Sequence, residues 1–231
     1  ASDVWQEMAE MGWAGIAIPE EFGGLGYGYT GLGIVLEQAG RNLSTGPLQS
    51  AVLVAATLIA ELGNPEQKQR MLPAIASGEL LVTLALQEGS HHAPLQTASS
   101  ATRDGDDYVI NGSKVLVLDA ASAATFIVIA RTGGKAGDES GLSAFLVDAG
   151  TDGLSVDGRS MGDSRSADAL AQHDVRVPAA NLLGAEGEAW AGLSRTLDIA
   201  NIGLAAELLG LSSEAFERTV AYLKERKQFG R

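Results

Sequence analysis

The stretch AWAGLSRTLDIANIGLAAELLGLSSEAFERTVAYLKERKQFGR, residues 189–231, decides the architecture. Leu193, Leu197, Ala200, Leu204, Leu208, Leu211 and Ala215 recur at spacings of three and four, the pattern of one helical stripe. Ile199, Ile202, Ala206 and Leu209 cover the other sides of its middle, and a helix apolar nearly all round is one buried all round. At about 1.5 Å per residue such a helix spans roughly 60 Å, which outruns a small domain. It needs antiparallel neighbours that the sequence up to Arg231 does not supply. The expectation is a bundle completed by another chain or by further C-terminal sequence.

Upstream, the periodicity divides the chain. Residues 2–80 read as helical. Asp3 caps a first helix carrying Val4, Met8 and Met11 and ending at Gly12; residues 13–26 form an extended apolar strip and a glycine-rich turn. Thr30 opens a helix with Leu32, Val35, Leu36 and Ala39 on one face, and another covers 51–62 and ends at Gly63. Asn64-Pro65-Glu66 starts a further helix, with proline at the first helical position and Met71, Leu72 and Ile75 facing inward until Gly78. From Val82 the period becomes two. Val82, Leu84 and Leu86 alternate, and Asp104-Gly105 and Asn111-Gly112 are turn signals around 108–110. Short strands are expected at 115–118, 126–130, 142–147, 154–156 and 175–177, which imply a sandwich or barrel and not a parallel sheet. Residues 132–140, rich in glycine and charge, read as a floppy loop. The fold class is therefore α+β: an N-terminal helical domain 1–81, a middle β domain 82–186, and the first long helix of a C-terminal bundle, 187–231.

Composition narrows the function. A formal net charge of −13 argues against nucleic acid and anionic membrane surfaces as partners, since both require a positive face. Cysteine is absent, which excludes disulfides, thiol chemistry and cysteine-bound metal, and apolar runs stop short of a membrane span; the expectation is a soluble cytoplasmic protein. Lys224, Arg226, Lys227 and Arg231 make the tail locally cationic. Bases at a helix C-terminus complement its dipole, and the same bases suit an anion site; charge does not choose between the two.

Gly26-Tyr-Gly28-Tyr-Thr-Gly31 spells a dinucleotide fingerprint, but it lacks the βαβ context and the acidic residue about twenty positions on that give the motif meaning. Asn42-Leu-Ser44 and Asn111-Gly-Ser113 match a glycosylation sequon without a secretory context. No nucleophile elbow or phosphate-binding P-loop occurs. His91 and His92 are adjacent, a spacing unsuited to a helical metal pair, and read as loop surface; His173 lies at a strand edge.

Three separated segments resemble the acyl-CoA dehydrogenase family: Gly12-Trp-Ala-Gly-Ile-Ala-Ile-Pro-Glu-Glu-Phe-Gly-Gly-Leu-Gly26, Asp174-Val-Arg-Val-Pro178-Ala-Ala-Asn-Leu-Leu-Gly184 and Arg226-Lys-Gln-Phe-Gly230. The resemblance implies N-terminal helices, a middle β-barrel and a C-terminal four-helix bundle of which this chain has the opening helix. It implies FAD as cofactor and an acyl-CoA thioester as substrate: a carboxylate removes the α-proton while the β-hydride passes to the flavin, with electron-transferring flavoprotein as onward partner. Proton and hydride leave opposite faces of one bond, so the acyl chain must lie between base and flavin ring.

Carried over residue by residue, the resemblance gives Arg226, Gln228 and Phe229 the role of reaching a neighbouring subunit's FAD. Arg suits a pyrophosphate because its planar fork makes paired hydrogen bonds. Leu86 and Gln87 stand at the flavin-lining position where the family has Thr-Glu-Pro, and Ser90 stands in the substrate-binding turn. Leu116 and Leu118 replace a Trp-Ile-Thr-Asn run that stacks on the flavin and hydrogen-bonds it. The helix position that carries a catalytic Glu in some members is Ala200, followed by Asn201, so no residue is assigned as base. Retained tip and weakened bed resemble the small partner subunit of heteromeric pimeloyl-CoA and steroid side-chain dehydrogenases. The rivals are an ordinary homotetrameric dehydrogenase with its base beyond residue 231, a non-catalytic acyl-CoA-binding scaffold, and an oxidase or monooxygenase of the same family.

Overall fold

A computed structural model of the chain describes residues 2–159, 161–162 and 165–229. Helix α1 (Ser2–Glu10) buries Trp5 and Met8, and the Trp5 indole Nε1 donates to the Gly78 carbonyl at 3.0 Å. The inward face thus runs through Trp5 and Met8; Val4 and Met11, expected on it, are exposed. Residues 13–26 form tight turns around a single 3-10 turn, Glu20–Phe22. Gly24 is needed there because a Cβ would stand 2.0 Å from the Ile18 carbonyl oxygen.

Helix α2 (Gly28–Arg41) begins two residues before Thr30 and buries Leu32, Leu36, Ala39 and Gly40. The helix expected from residue 51 starts earlier, as a π-helical stretch Leu48–Ala55 that continues into α3 (Ala56–Leu62). Helix α4 (Pro65–Ala76) has the expected start. Asn64 Oδ1 accepts from the Gln67 backbone N–H at 2.8 Å and Gln67 Oε1 accepts from the Asn64 backbone N–H at 2.9 Å, a complete capping box. Gln67 Nε2 also donates to the carbonyls of Ala180 and Leu182, so the cap pins the sheet to the helices.

Among the described residues the sheet has eight strands: β1 (Val82–Ala85), β2 (Ser100–Asp104), β3 (Asp107–Leu118), β4 (Thr125–Arg131), β5 (Leu142–Asp148), β6 (Leu154–Asp157), β7 (Ala167–Pro178) and β8 (Leu182–Leu183). The hydrogen-bonded order is β6-β7-β3-β2-β4-β5-β8, with β1 added beside β4. Most pairs are antiparallel; β1 lies parallel to β4, and β2 touches β4 in parallel at Ser100 and Arg131. Gly105 turns the β2–β3 hairpin as expected. Asn111-Gly112 does not turn. It is a register shift inside one continuous β3, and β7 likewise runs as a single strand well upstream of the expected 175–177. The 132–140 segment is tied rather than floppy: the buried Arg131 guanidinium donates to the carbonyls of Leu95, Thr97, Asp138 and Ser140.

Helix α5 (Trp190–Glu225) is the long helix foreseen. The expected stripe holds only in its first part, where Leu193 is buried and Leu197 and Ala200 pack half-buried on the core; further along, Gly203, Glu207 and Gly210 point inward with Gly192 and Thr196 before them, while Leu204, Leu208, Leu209 and Leu211 are exposed and Ile202 is 69% exposed. Glycine decides this, because it lets α5 lie backbone to backbone on α2. A Cβ on Gly210 would sit 1.8 Å from the Glu37 carbonyl oxygen, and one on Gly40 2.0 Å from that of Glu207. No helix among the described residues is long and apolar enough to cross a membrane.

The blocking atom at Gly210 is backbone and cannot swing away, so Gly210→Ala is expected to force the two helices apart at a cost of about 3 kcal/mol. Urea unfolding measures it. A loss below about 0.5 kcal/mol, the range of indifferent surface changes, would show that α2 and α5 do not meet there.

Candidate functional site

The end of β3 departs from regular strand backbone. Between Lys114 and Val117 it advances three residues while β7 advances two, from Leu170 to Asp168, which is a β-bulge. Leu116, at φ 55°, and Asp119, also at φ 55°, are left-handed without being glycine. The bulge throws the Leu116 side chain out of the sheet, 57% exposed, while Val117 stays buried and Leu118 half-buried. Each left-handed residue of this kind costs about 1–2 kcal/mol, and such strain gathers at ligand-facing positions. Neighbours hold it in place: Thr83 Oγ1 donates to the Leu118 carbonyl at 2.7 Å and Ser50 Oγ to Asp119 Oδ2 at 2.5 Å.

The loop after β1 lies against this ledge, with the Val115 N–H donating to the Gln87 carbonyl at 2.7 Å. It walls a cavity of about 380 Å³ lined by Leu86, Gln87, Glu88, Ser90, His91 and Thr97 among others. Leu86 is buried; Gln87 Nε2 is turned back onto the carbonyls of Gly89 and His91, so its amide serves the loop; Ser90 is exposed, with Oγ 3.0 Å from His91 Nδ1. The structure therefore brings Leu86, Gln87, Ser90, Leu116 and Leu118 into one neighbourhood.

Arg226, Gln228 and Phe229 stand elsewhere, on the exposed C-terminal end of α5. The Arg226 guanidinium lies 5.1 Å from the centre of the Tyr222 ring and donates to its hydroxyl, and Phe229 is 99% exposed. Gly230 and Arg231, which complete the motif and the cationic tail, lie outside the described residues. His91, His92 and His173 are exposed, and among the described residues no group of three side chains could hold a metal ion.

Lys114, Arg131 and Glu207, which sequence reasoning passed over, brace the site together with Glu88. Lys114 is fully buried, with Nζ 2.6 Å from Glu88 Oε1 and 3.3 Å from the Leu86 carbonyl. Glu88 also accepts from the backbone N–H groups of Ala98, at 2.6 Å, and Ser99, at 3.0 Å. Burial pushes the Lys114 ammonium down to about 8 against the partial support of Glu88. Burial works to raise the Glu88 carboxyl, but the charge and hydrogen bond of Lys114 with the Ala98 and Ser99 donors outweigh it and hold it below its usual 4.5. Among the described residues Glu88 is the one carboxylate lining the cavity, and it is already engaged by Lys114 and by the Ala98 and Ser99 N–H groups. Arg131 braces the far wall through Leu95 and Thr97. Glu207, on α5, accepts from Gln49 of the π-helical stretch and from Arg165 of the β6–β7 connection. The signal for Lys114 was its inward register on a strand of otherwise apolar inward residues.

Comparison with known proteins accords with this layout. Residues 1–79 match the family model "Acyl-CoA dehydrogenase, N-terminal domain" and residues 86–177 match "Acyl-CoA dehydrogenase, middle domain". The short-chain-specific acyl-CoA dehydrogenase of Clostridium acetobutylicum is 37% identical over 98% of this chain and 61% of its own length. A structure of the electron transferring flavoprotein of Acidaminococcus fermentans contains a chain superposing with a TM-score of 0.92 at 34% identity, over 100% of this chain and 62% of that one. A Tcur3481-Tcur3483 steroid ACAD superposes with a TM-score of 0.86 at 35% identity, over 100% of this chain and 60% of that one. The chain thus spans about three fifths of the length of the curated relatives it matches.

Lys114 and Glu88 give two measurable expectations. Between about pH 8 and 10.5 the unfolded chain binds more protons at Lys114 than the native one, so the stability contributed there rises with pH. The Glu88 contribution runs the usual way, present above 4.5 and lost as pH falls through its lower native value. Lys114→Met removes one partner of the pair and is expected to cost about 3 kcal/mol near neutral pH and to abolish the alkaline rise. Urea unfolding across that range checks both; a variant as stable as its parent with the same pH profile would contradict the buried pair.

Proposed function

The chain belongs to the acyl-CoA dehydrogenase family, and from that premise we propose that it is a partner subunit contributing to an FAD held mainly by a neighbouring, homologous chain. When bound, FAD supplies the hydride acceptor for α,β-desaturation of an acyl-CoA thioester. The fit of this chain to that cofactor is uneven. Arg226 and Gln228 offer exposed donors of the kind that pair with a pyrophosphate, Arg226 being engaged within its own chain by exposed Tyr222. The ledge at β3 offers an apolar shelf in Leu116 and Leu118, with neither an aromatic platform nor a side-chain donor.

The observation that carries the reading is this division: exposed donors at the tip of α5, and a strained, donorless ledge beside a cavity whose one carboxylate among the described residues is already paired with Lys114. Ala200, at the helix position where some members place a base, packs half-buried against the helical core and has no proton-accepting group. The leucines left exposed along α5 support the same picture, since an apolar surface of that length calls for covering helices, from the partner or from sequence beyond residue 231. The paired naming of the steroid ACAD agrees with two unlike chains in one assembly, and the Acidaminococcus structure agrees with an electron-transferring flavoprotein as a further partner.

A second reading keeps a specific support. Because the chain spans about 61% of its relatives' length, an ordinary homotetramer with its base beyond residue 231 accounts for Ala200 equally well. Purifying the full gene product alone and co-expressed with a homologous dehydrogenase chain separates the two. Stoichiometric flavin and acyl-CoA oxidation by the lone product would overturn the partner reading; flavin only in the mixed complex supports it. A colourless complex would favour a non-catalytic acyl-CoA-binding scaffold.

Two substitutions test the division of labour directly. Arg226→Ala is expected to lower the flavin content of the complex at least several-fold without moving the melting temperature of this chain, because Arg226 packs only on exposed Tyr222. The pair Leu116→Trp and Leu118→Thr restores platform and donor, and is expected to raise flavin retention by this chain; equilibrium dialysis with fluorescence detection reads both.

A further inference from the structure

Beneath the loop that walls the cavity, two neighbouring residues carry unmet polar groups: Ser99, just before β2, and Gln172 of β7. Ser100 pairs with Asn111, so Ser99, just before β2, reaches Gly112 of β3, and Gly112 pairs in turn with Gln172 of β7. Residues paired across antiparallel strands project to the same face, so the Gln172 side chain and the Cβ position of Gly112 share one side of the sheet. Ser99 occupies that position: a Cβ on Gly112 would lie 2.2 Å from Ser99 Oγ.

Ser99 is 3% exposed and Gln172 1% exposed. The Ser99 backbone is satisfied, its N–H by Glu88 and its carbonyl by the Arg131 N–H, but its hydroxyl, near the Glu88 carboxylate, makes no hydrogen bond of normal geometry. Gln172 has none on either Nε2 or Oε1. Buried polar groups left unpaired in this way are rare in native proteins, and the common resolution is an internal solvent molecule with two to four polar neighbours.

We propose that Ser99 Oγ and the Gln172 carboxamide form an internal hydration site, with at least one buried water bridging them beside Gly112. The chemistry selects the ligand class. Both groups are neutral and each can donate and accept, so the occupant must do both as well. The nearest charges, Lys114 and Glu88, neutralise one another at 2.6 Å and leave no net field to hold an ion. The water sits on Ser99, the same residue whose N–H anchors Glu88, and so buttresses the loop 86–90 from behind. This inference stands apart from the functional reading and holds whether or not the chain shares a flavin.

A high-resolution crystal structure of the protein, alone or with whatever covers α5, tests it. The expected result is an ordered solvent peak within hydrogen-bond distance of both Ser99 Oγ and the Gln172 amide; side chains bonded directly to each other, or an empty gap, would overturn the proposal. Oxygen-17 relaxation dispersion supplies the solution counterpart, with at least one long-lived water fewer in the Ser99→Ala, Gln172→Leu double variant than in the parent. An unchanged number would count against the site, and if the variant does not fold, the density in the parent decides.

Discussion

A single carboxylate joins the three parts of this molecule. Glu207 sits on α5, takes one hydrogen bond from Gln49 of the N-terminal helices and another from Arg165 of the sheet, and is nearly buried while doing so. A buried charge must be fully paired or it is strongly destabilising, so the three parts are held in one register or the carboxylate is stranded. The glycines at 40 and 210 make the arrangement possible, because they bring the backbones of α2 and α5 close enough for the Glu207 side chain to be enclosed. Side-chain size along α5 is thus set by the distance to α2, and its leucines are displaced to the opposite face.

The same logic of constraint explains the ledge at the end of β3. Leu116 is neither glycine nor asparagine, yet it holds a left-handed conformation, and the fold secures it on both sides through Thr83 and through Ser50 with Asp119. A bulge secured in this way is a positional device: it fixes where two leucines stand relative to the cavity walled by Leu86 and Gln87. The ledge is held by its backbone and its neighbours, while the side chains it presents, Leu116 and Leu118, are hydrocarbon.

Much of the fold is written in local signals. Asn64 and Gln67 announce a helix start three residues apart, Gly105 announces a hairpin, and the apolar content of 190–225 announces a long helix. What stayed hidden depends on distant partners. Asn111-Gly112 carries the same turn signal as Asp104-Gly105, but its glycine answers to the close approach of Ser99 and not to a change of chain direction. Periodicity cannot rank two apolar faces of one helix when glycine, invisible to a hydrophobicity count, selects the buried one. Lys114 finds its counter-charge 26 residues away on a loop, a pairing that no window along the sequence contains. The exposed tip of α5 was legible as a motif, and its place far from the ledge was not.

The parallel seat of β1 beside β4 imposes an order on assembly. Residues 82–85 emerge from synthesis directly after the helices, yet their strand partner at 125–128 arrives some forty residues later, after the β2–β3 hairpin has been made. Pairings of such sequence separation close slowly, because chain entropy is surrendered before the contact returns anything. The N-terminal helices, which rest on β1 and on the inner leucines of β5, must therefore wait with their greasy undersides open to water. For a nascent chain on the ribosome, that interval is the moment of greatest exposure to aggregation and of greatest use to a chaperone.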